Sequence, residues 1–151
     1  MGSYVYQLKD ERGRAIYGLA DAINKAELKR RIRHDNFYFI AAHPFNEQKI
    51  LRKKVNQEAL LVFTHRLASL IDSGIPIMTA MHILWRQTED KNLQLVISHM
   101  RNRLEQGSKI SEALDDFPAV FPSLYRAMVG IAEKTGGLAV VLRQLVAHLE
   151  Y

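Results

Sequence analysis

The sequence predicts a mainly α-helical protein, a compact bundle of about six antiparallel helices over residues 56–151 preceded by a small α+β module of order ββαβ. Three observations support this fold class. Apolar residues recur at helical spacing after residue 56, and they alternate in strand fashion near the amino terminus. Proline and glycine separate the apolar stretches. We therefore divide the chain into a module at 1–45, a charged linker at 46–55 and a helical bundle at 56–151.

The first 45 residues, called the front module below, have the pattern of a hairpin, a helix and a third strand. Residues 4–8 alternate, residues 10–14 suit a turn, and residues 15–19 return as a second strand. Asp21 is predicted to cap a helix that runs to about residue 34. The aromatic and β-branched run at 37–42 predicts the third strand.

Each later helix carries an apolar stripe about a hundred degrees wide, which it cannot bury alone. The helices must therefore pack on one another, and the short loops between them favour antiparallel neighbours. The stripes consist of Leu60, Phe63, Leu67 and Leu70; Ile77, Met81, Leu84 and Trp85; Leu93, Ile97, Met100 and Leu104; and Leu138, Leu142, Leu145 and Leu149.

Helix-ending and helix-starting residues mark the boundaries of the bundle. Gly74 and Gly107 are placed to end helices, and Asp90 is placed to cap one. A short helix is expected at 111–116. The fixed φ of Pro122 suits a first helical position, and the glycine pair beginning at Gly136 ends the helix that Pro122 opens.

Positive charge is concentrated in the first third of the chain. Residues 1–55 carry twelve lysines and arginines against six acidic residues, a net charge of +6, whereas residues 56–151 carry −1. Two interpretations stay open for these basic runs. They are a solvated helix face and linker, or a surface that contacts acidic proteins or anionic lipid headgroups. The candidate contact residues are Lys29, Arg30, Arg31, Arg33, Arg52, Lys53 and Lys54.

The sequence lacks the residue patterns of the common enzyme and metal sites. A hydrophobic share of 48% and a charged share of 25% indicate a globular chain, and the absence of cysteine excludes disulfides and thiolate sites. The six histidines form no H-x-x-x-H pair, and neither a phosphate loop nor G-x-S-x-G occurs. We therefore expect no enzymatic activity and no cofactor.

For the acidic pairs and Glu133, a structural role is the first interpretation. The pairs at 89–90 and 115–116 lie at expected helix ends, where Asp90 has a capping role. Glu133 lies near the carboxyl end of its helix, where the macrodipole disfavours negative charge. Solvation is its default compensation, with a partner on another helix or a donor from the following glycine turn as alternatives. Metal-assisted chemistry at Asp115, Asp116 or Glu133 is the competing interpretation.

Nucleic-acid binding is the main alternative function. The chain is basic and mostly helical, and residues 73–76 resemble the corner of a helix-turn-helix. The recognition helix at 76–88 offers only Arg86 and His82 as basic residues, which is a poor basis for reading DNA.

Residues 56–150 resemble the type II secretion system F domain, the family of the inner-membrane platform proteins GspF of secretion systems and PilC of type IV pili. The resemblance lies in the runs 67–76, 107–114, 117–125 and 132–138 and in the final helix. Residues 1–45 also look like the amino-terminal extension of this family. Within the helical part, family members usually have glycine at the position where this chain has Ala132. The family-motif positions, to which we assign structural roles, are Gly74, Pro76, Gly107, Ala113, Leu114, Pro118, Phe121, Pro122, Glu133, Gly136 and Leu138.

The resemblance implies a role in assembly. Such platform proteins sit in the inner membrane, contact a hexameric assembly ATPase on the cytoplasmic side, and couple its cycle to pilin or pseudopilin insertion. It also implies other inner-membrane components as partners, self-association, and membrane segments beyond this chain. No run of about 20 apolar residues occurs here, and the amino terminus lacks a signal peptide. We therefore expect this portion on the cytoplasmic side.

Overall fold

The computed structural model describes residues 2–32, 36–46, 49 and 54–150. The described part is mostly helical, with one small antiparallel sheet, as the sequence predicts. Its elements in chain order are β1 (Gly2–Lys9), β2 (Ala15–Ala22), α1 (Lys25–Ile32), β3 (Tyr38–Pro44), α2 (Gln57–Asp72), α3 (Ile77–Gln87), α4 (Lys91–Glu105), α5 (Ile110–Asp115), α6 (Ser123–Thr135) and α7 (Leu138–Leu149).

The sheet has the strand order β2-β1-β3, and both strand pairs are antiparallel. The β1–β2 turn is closed by the Asp10 carboxylate, which accepts the backbone N–H groups of Arg12 (2.9 Å) and Arg14 (2.8 Å). The Arg14 N–H is the larger cause of the lowered pKa of Asp10. A register shift between β1 and β3 at Gln7/Leu8 marks a bulge. The hairpin therefore has the turn that residues 10–14 predict.

The six later helices pack in sequence. Each contacts the next, and α2 also packs against α7, so the first and last helices of the series lie together. Their apolar stripes face inward: Phe63, Met81, Ile97 and Leu142 are at most 2% exposed. The antiparallel orientation of all neighbours stays a prediction.

Helix ends follow the predicted signals with one shift. Asp90 caps α4 by accepting the Leu93 N–H at 2.9 Å. Gly136 ends α6 at a φ of 82°, a left-handed conformation that side chains other than glycine rarely adopt. Pro76 and Pro122 occupy the N-cap positions of α3 and α6, one residue before the first helical position that was predicted for Pro122. Both prolines still start their helices, because neither position uses a backbone N–H.

A buried hydrogen-bond chain ties α2 to α6. The Thr64 hydroxyl donates to the Leu60 carbonyl at 2.7 Å, so the Tyr125 hydroxyl donates to Thr64 Oγ1 at 2.8 Å. Burial raises the pKa of Tyr125 well above its ordinary value. The phenol therefore stays protonated, and both buried hydroxyls have a partner.

One hydrophobic core runs through the sheet and the helices. Tyr6, Leu8 and Ile16 of the sheet belong to the same buried cluster as Trp85 and Leu93 of the bundle. The Tyr6 and Trp85 rings meet edge to face, with centroids 6.5 Å apart. The predicted boundaries at residues 45 and 56 stay a prediction, but the front module is packed directly on the bundle.

Candidate functional site

The basic residues of α1 form an exposed cluster at its last turn. Lys29, Arg30 and Arg31 follow one another and are all exposed. Arg31 contacts the Glu27 carboxylate at 3.7 Å and donates to the Asp21 carbonyl, while the Lys29 ammonium lies 5.8 Å from the Phe39 ring centroid. These contacts are made by the charged ends of Lys29 and Arg31, and all three side chains stay exposed at the surface. We call Lys29, Arg30 and Arg31 the α1 basic cluster.

The structure places only part of the predicted contact set. Lys54 is exposed just before α2. Arg33, Arg52 and Lys53 lie outside the described residues, so their relation to the α1 basic cluster stays a prediction.

Local contacts hold α1 beneath the sheet. Asn24 caps the helix by accepting the Glu27 N–H at 2.9 Å, and the Glu27 carboxylate accepts the Ile23 N–H at 2.7 Å. Leu28 and Ile32 are buried, and α1 packs against β2 and β3. The prediction that Asp21 caps this helix was wrong. Asp21 belongs to β2, where its carboxylate accepts the Ser3 hydroxyl at 2.7 Å.

The outer edge of β2 is covered by side chains of α4 and α3. The Tyr17 N–H donates to Gln94 Oε1 (3.2 Å), and the Leu19 N–H donates to Ser98 Oγ (2.8 Å). The Leu19 carbonyl accepts from Asn102 Nδ2 (2.8 Å), and the Tyr17 carbonyl accepts from Trp85 Nε1 (2.8 Å). We call Gln94, Ser98 and Asn102 the α4 polar stripe.

Reasoning from sequence missed the α4 polar stripe. Its signal was present, since three hydrogen-bonding residues stand at i, i+4 and i+8 and so share one face of the helix. A polar helix face is usually assigned to solvent. Gln94 and Ser98 are instead each 2% exposed, and both are hydrogen-bonded.

Glu133 joins α6 to α5. Its carboxylate accepts the Ser111 N–H and the Ser111 hydroxyl, each at 2.6 Å. Ser111 is in the first turn of α5, where backbone N–H groups lack intrahelical acceptors and negative charge is favoured. The default expectation of solvation was therefore wrong, and the alternative of a partner on another helix is correct. Ala132 beside it is buried, at 2% exposure.

Substituting Glu133 by alanine is expected to lower the free energy of unfolding by about 1–2 kcal/mol, because the first turn of α5 loses the carboxylate that accepts both the Ser111 N–H and the Ser111 hydroxyl. Glu133→Gln keeps one acceptor oxygen and should lose about half as much. Urea unfolding followed by circular dichroism measures both. The exposed Glu89 supplies the control, and a Glu133→Ala loss no larger than that of Glu89→Ala would contradict the capping role.

The other predicted carboxylates have structural partners. Asp115 pairs with Arg126 at 3.3 Å, and Asp116 contacts both His99 (2.9 Å) and Arg103 (3.0 Å). The described residues contain no group of three or more histidines and acidic residues that could hold a metal ion. These carboxylates connect α4, α5 and α6.

The helix that would have to recognise DNA is α3, and its basic side chains contact other residues of this protein. The Arg86 guanidinium on α3 lies 4.9 Å from the Phe37 ring centroid, and the His82 ring packs at 5.8 Å from Trp85. Its two basic residues therefore make intramolecular contacts.

Among the helices described, none is both long and apolar enough to cross a bilayer.

Curated relatives come from secretion and pilus systems. The type II secretion system protein F of Vibrio cholerae is 25% identical over 99% of this chain and 39% of its own length. The type IV pilus assembly protein PilC of Thermus thermophilus is 30% identical over 99% of this chain and 38% of its own length. PilC of Myxococcus xanthus is 33% identical over 64% of this chain and 23% of its own length. The chain thus spans about two fifths of the first two relatives.

A family model described as type II secretion system (T2SS), protein F, matches residues 63–151, which is more than half of the chain. The matched segment includes the α5–α6 contact made by Ser111 and Glu133 and most of the helical core. The chain therefore belongs to the type II secretion system protein F family.

Proposed function

We propose that this chain is the cytoplasmic part of an inner-membrane platform protein in a type II secretion or type IV pilus machine. It acts by protein–protein contact and couples the assembly ATPase to the insertion of pilins or pseudopilins. The observation that carries this proposal is the family match over residues 63–151. The names of the relatives, which specify type II secretion and type IV pilus assembly, support the same role.

The packing of the bundle suits a part that transmits force. Consecutive helices are in contact, α2 lies against α7, and Glu133 and Asp116 bridge separate helices. In such an arrangement the helices resist sliding past one another, because moving one helix disturbs its contacts with two neighbours. The carboxylates that an enzyme interpretation needs are engaged in these bridges, which favours a role in binding.

The α1 basic cluster is our candidate for the surface that meets the ATPase. Its charges are exposed at one turn of a helix that is buried on its other face by Leu28 and Ile32. A positive surface on a firmly packed helix speeds and orients association with an acidic partner.

Reversing charge at this surface should weaken ATPase binding by at least about tenfold at low salt. The variant carries Lys29→Glu and Arg30→Glu in the α1 basic cluster and Lys54→Glu from the predicted contact set, whose position relative to the cluster stays a prediction; it spares Arg31, which donates a hydrogen bond to the Asp21 carbonyl. The measurement is the Kd for the purified hexameric assembly ATPase of the same organism, at 50 and 300 mM salt.

A matched control reverses three exposed basic residues around the β1–β2 turn, Lys9, Arg12 and Arg14, and so changes the net charge equally. We expect this control to bind within about twofold of the unchanged chain. If both variants weakened ATPase binding equally, the effect would come from the net charge and not from a specific binding surface. Binding of the unchanged chain to phosphatidylglycerol vesicles, without binding to the ATPase, would replace the ATPase by the membrane surface as the partner.

A further inference from the structure

The α4 polar stripe has the spacing of a strand neighbour. Four helical residues advance by about 6 Å, and two strand residues advance by about 6.6 Å. Gln94 and Ser98 therefore meet Tyr17 and Leu19 in turn, and Asn102 reaches the Leu19 carbonyl. The helix presents hydrogen-bonding groups at nearly the period with which β2 presents its own.

On the outer edge of β2, the outward-facing backbone groups at the centre of the strand are all hydrogen-bonded. Both the N–H and the carbonyl of Tyr17 and of Leu19 have side-chain partners on the bundle. Ser98 serves Leu19 twice, since its hydroxyl also lies 3.3 Å from the Leu19 carbonyl. An edge strand normally offers these groups to water or to another strand. Here the bundle takes the place of a fourth strand.

These contacts specify one position of β2 along α4. A shift by one residue would turn the Tyr17 and Leu19 backbone groups toward β1 and move the buried side chains of β2 to the opposite face. A rotation of the front module away from α4 would leave Gln94 Oε1 and the Ser98 hydroxyl, which are both buried, without these backbone partners, and that is disfavoured. The apolar pattern of β2 disfavours the same one-residue shift, and the hydrogen bonds add directional contacts to that preference.

We propose that the α4 polar stripe, together with Trp85, is a positioning device that holds the front module in one fixed orientation on the bundle. The module is thus fixed through side chains of α4 and α3. The path of force described next rests on the proposed function. A force that the ATPase applies at the α1 basic cluster passes through the sheet into α4, and from there into the bundle.

The chain allows a direct test because it contains no cysteine. We place spin labels on cysteines introduced by Arg12→Cys, at the hairpin turn, and by Lys134→Cys, on α6. Both positions are exposed, and the distance between the two labels reports the distance between the front module and the bundle. Electron–electron double resonance on the otherwise unchanged chain should give one narrow distance distribution. The same labels in a Gln94→Ala, Ser98→Ala, Asn102→Ala variant should give a broad one.

Hydrogen exchange gives a second readout at the residues concerned. In the triple variant the Tyr17 and Leu19 amides should exchange about tenfold faster or more, since each loses its acceptor. The Gly18 amide, which faces β1, and the amides of α2 and α7 should stay protected. This pattern separates a loosened front module from general unfolding of the chain.

Asn92→Ala supplies the control, because residue 92 lies about 160° around α4 from Gln94 and about 120° from Ser98. It should leave the distance distribution unchanged. A broad distribution in the unchanged chain, or a narrow one in the triple variant, overturns the proposal. If the triple variant does not fold, Ser98→Ala alone is measured, and normal Leu19 protection there also overturns it. Neither readout involves the ATPase, so failure of ATPase binding bears only on the proposed function.

Discussion

Replacing Phe121 by alanine is expected to lower the free energy of unfolding by about 3–5 kcal/mol, the cost of removing a large aromatic side chain from a packed core. Phe121 is 0% exposed. Its ring lies 6.4 Å from that of Phe63 on α2 and 5.2 Å from that of Tyr125 on α6. It therefore fills the space where the loop before α6 meets two helices, and these elements cannot close a cavity of that size without moving together.

Urea denaturation followed by far-ultraviolet circular dichroism measures this loss as a lower midpoint with an unchanged m-value. Leu124, three residues later and 47% exposed, supplies an apolar control. Leu124→Ala should change the free energy of unfolding by no more than about 0.5 kcal/mol. A Phe121→Ala loss below about 1 kcal/mol would mean that the ring does not occupy the core as described.

The helices could be predicted because their evidence is local. Apolar spacing identifies α2, α3, α4 and α7, and capping residues such as Asp90 lie within one turn of the groups they cap. The error at Asp21 shows the limit of such signals. Asp21 and Asn24 are both good caps by type, and long-range pairing of β2 with β1 decided between them by extending the strand to Ala22.

The candidate site depends on contacts between residues far apart in sequence. Glu133 is 22 residues from Ser111, and Leu19 is 79 residues from Ser98. No local signal in the sequence joins the two members of either pair. The α1 basic cluster was predictable because three adjacent basic residues need no tertiary information. The α4 polar stripe was not, since its partner is the backbone of a strand, which no side-chain pattern reveals.

Replacing Gly18 by alanine is expected to destabilise the chain by about 2–3 kcal/mol, because the added methyl overpacks a closed site. Gly18 lies directly opposite Tyr6 in the β1–β2 ladder. A Cβ atom there would stand 2.3 Å from Tyr6 Cζ and 2.4 Å from its hydroxyl oxygen. The Tyr6 ring has little room to yield, since it is 7% exposed and meets the Trp85 ring edge to face.

A double-mutant cycle tests the cause. Tyr6→Leu removes the ring atoms that the methyl would strike, so Gly18→Ala in that background should cost at least about 1 kcal/mol less than in the unchanged chain. Gly130 on α6 is the contrasting glycine, since a Cβ there would lie an ordinary 3.8 Å from Ser111 Cβ. Gly130→Ala should therefore stabilise the chain by about 0.5–1 kcal/mol through helix propensity. Equal Gly18→Ala losses in both backgrounds would show that the strain lies in the backbone of β2 and not against Tyr6.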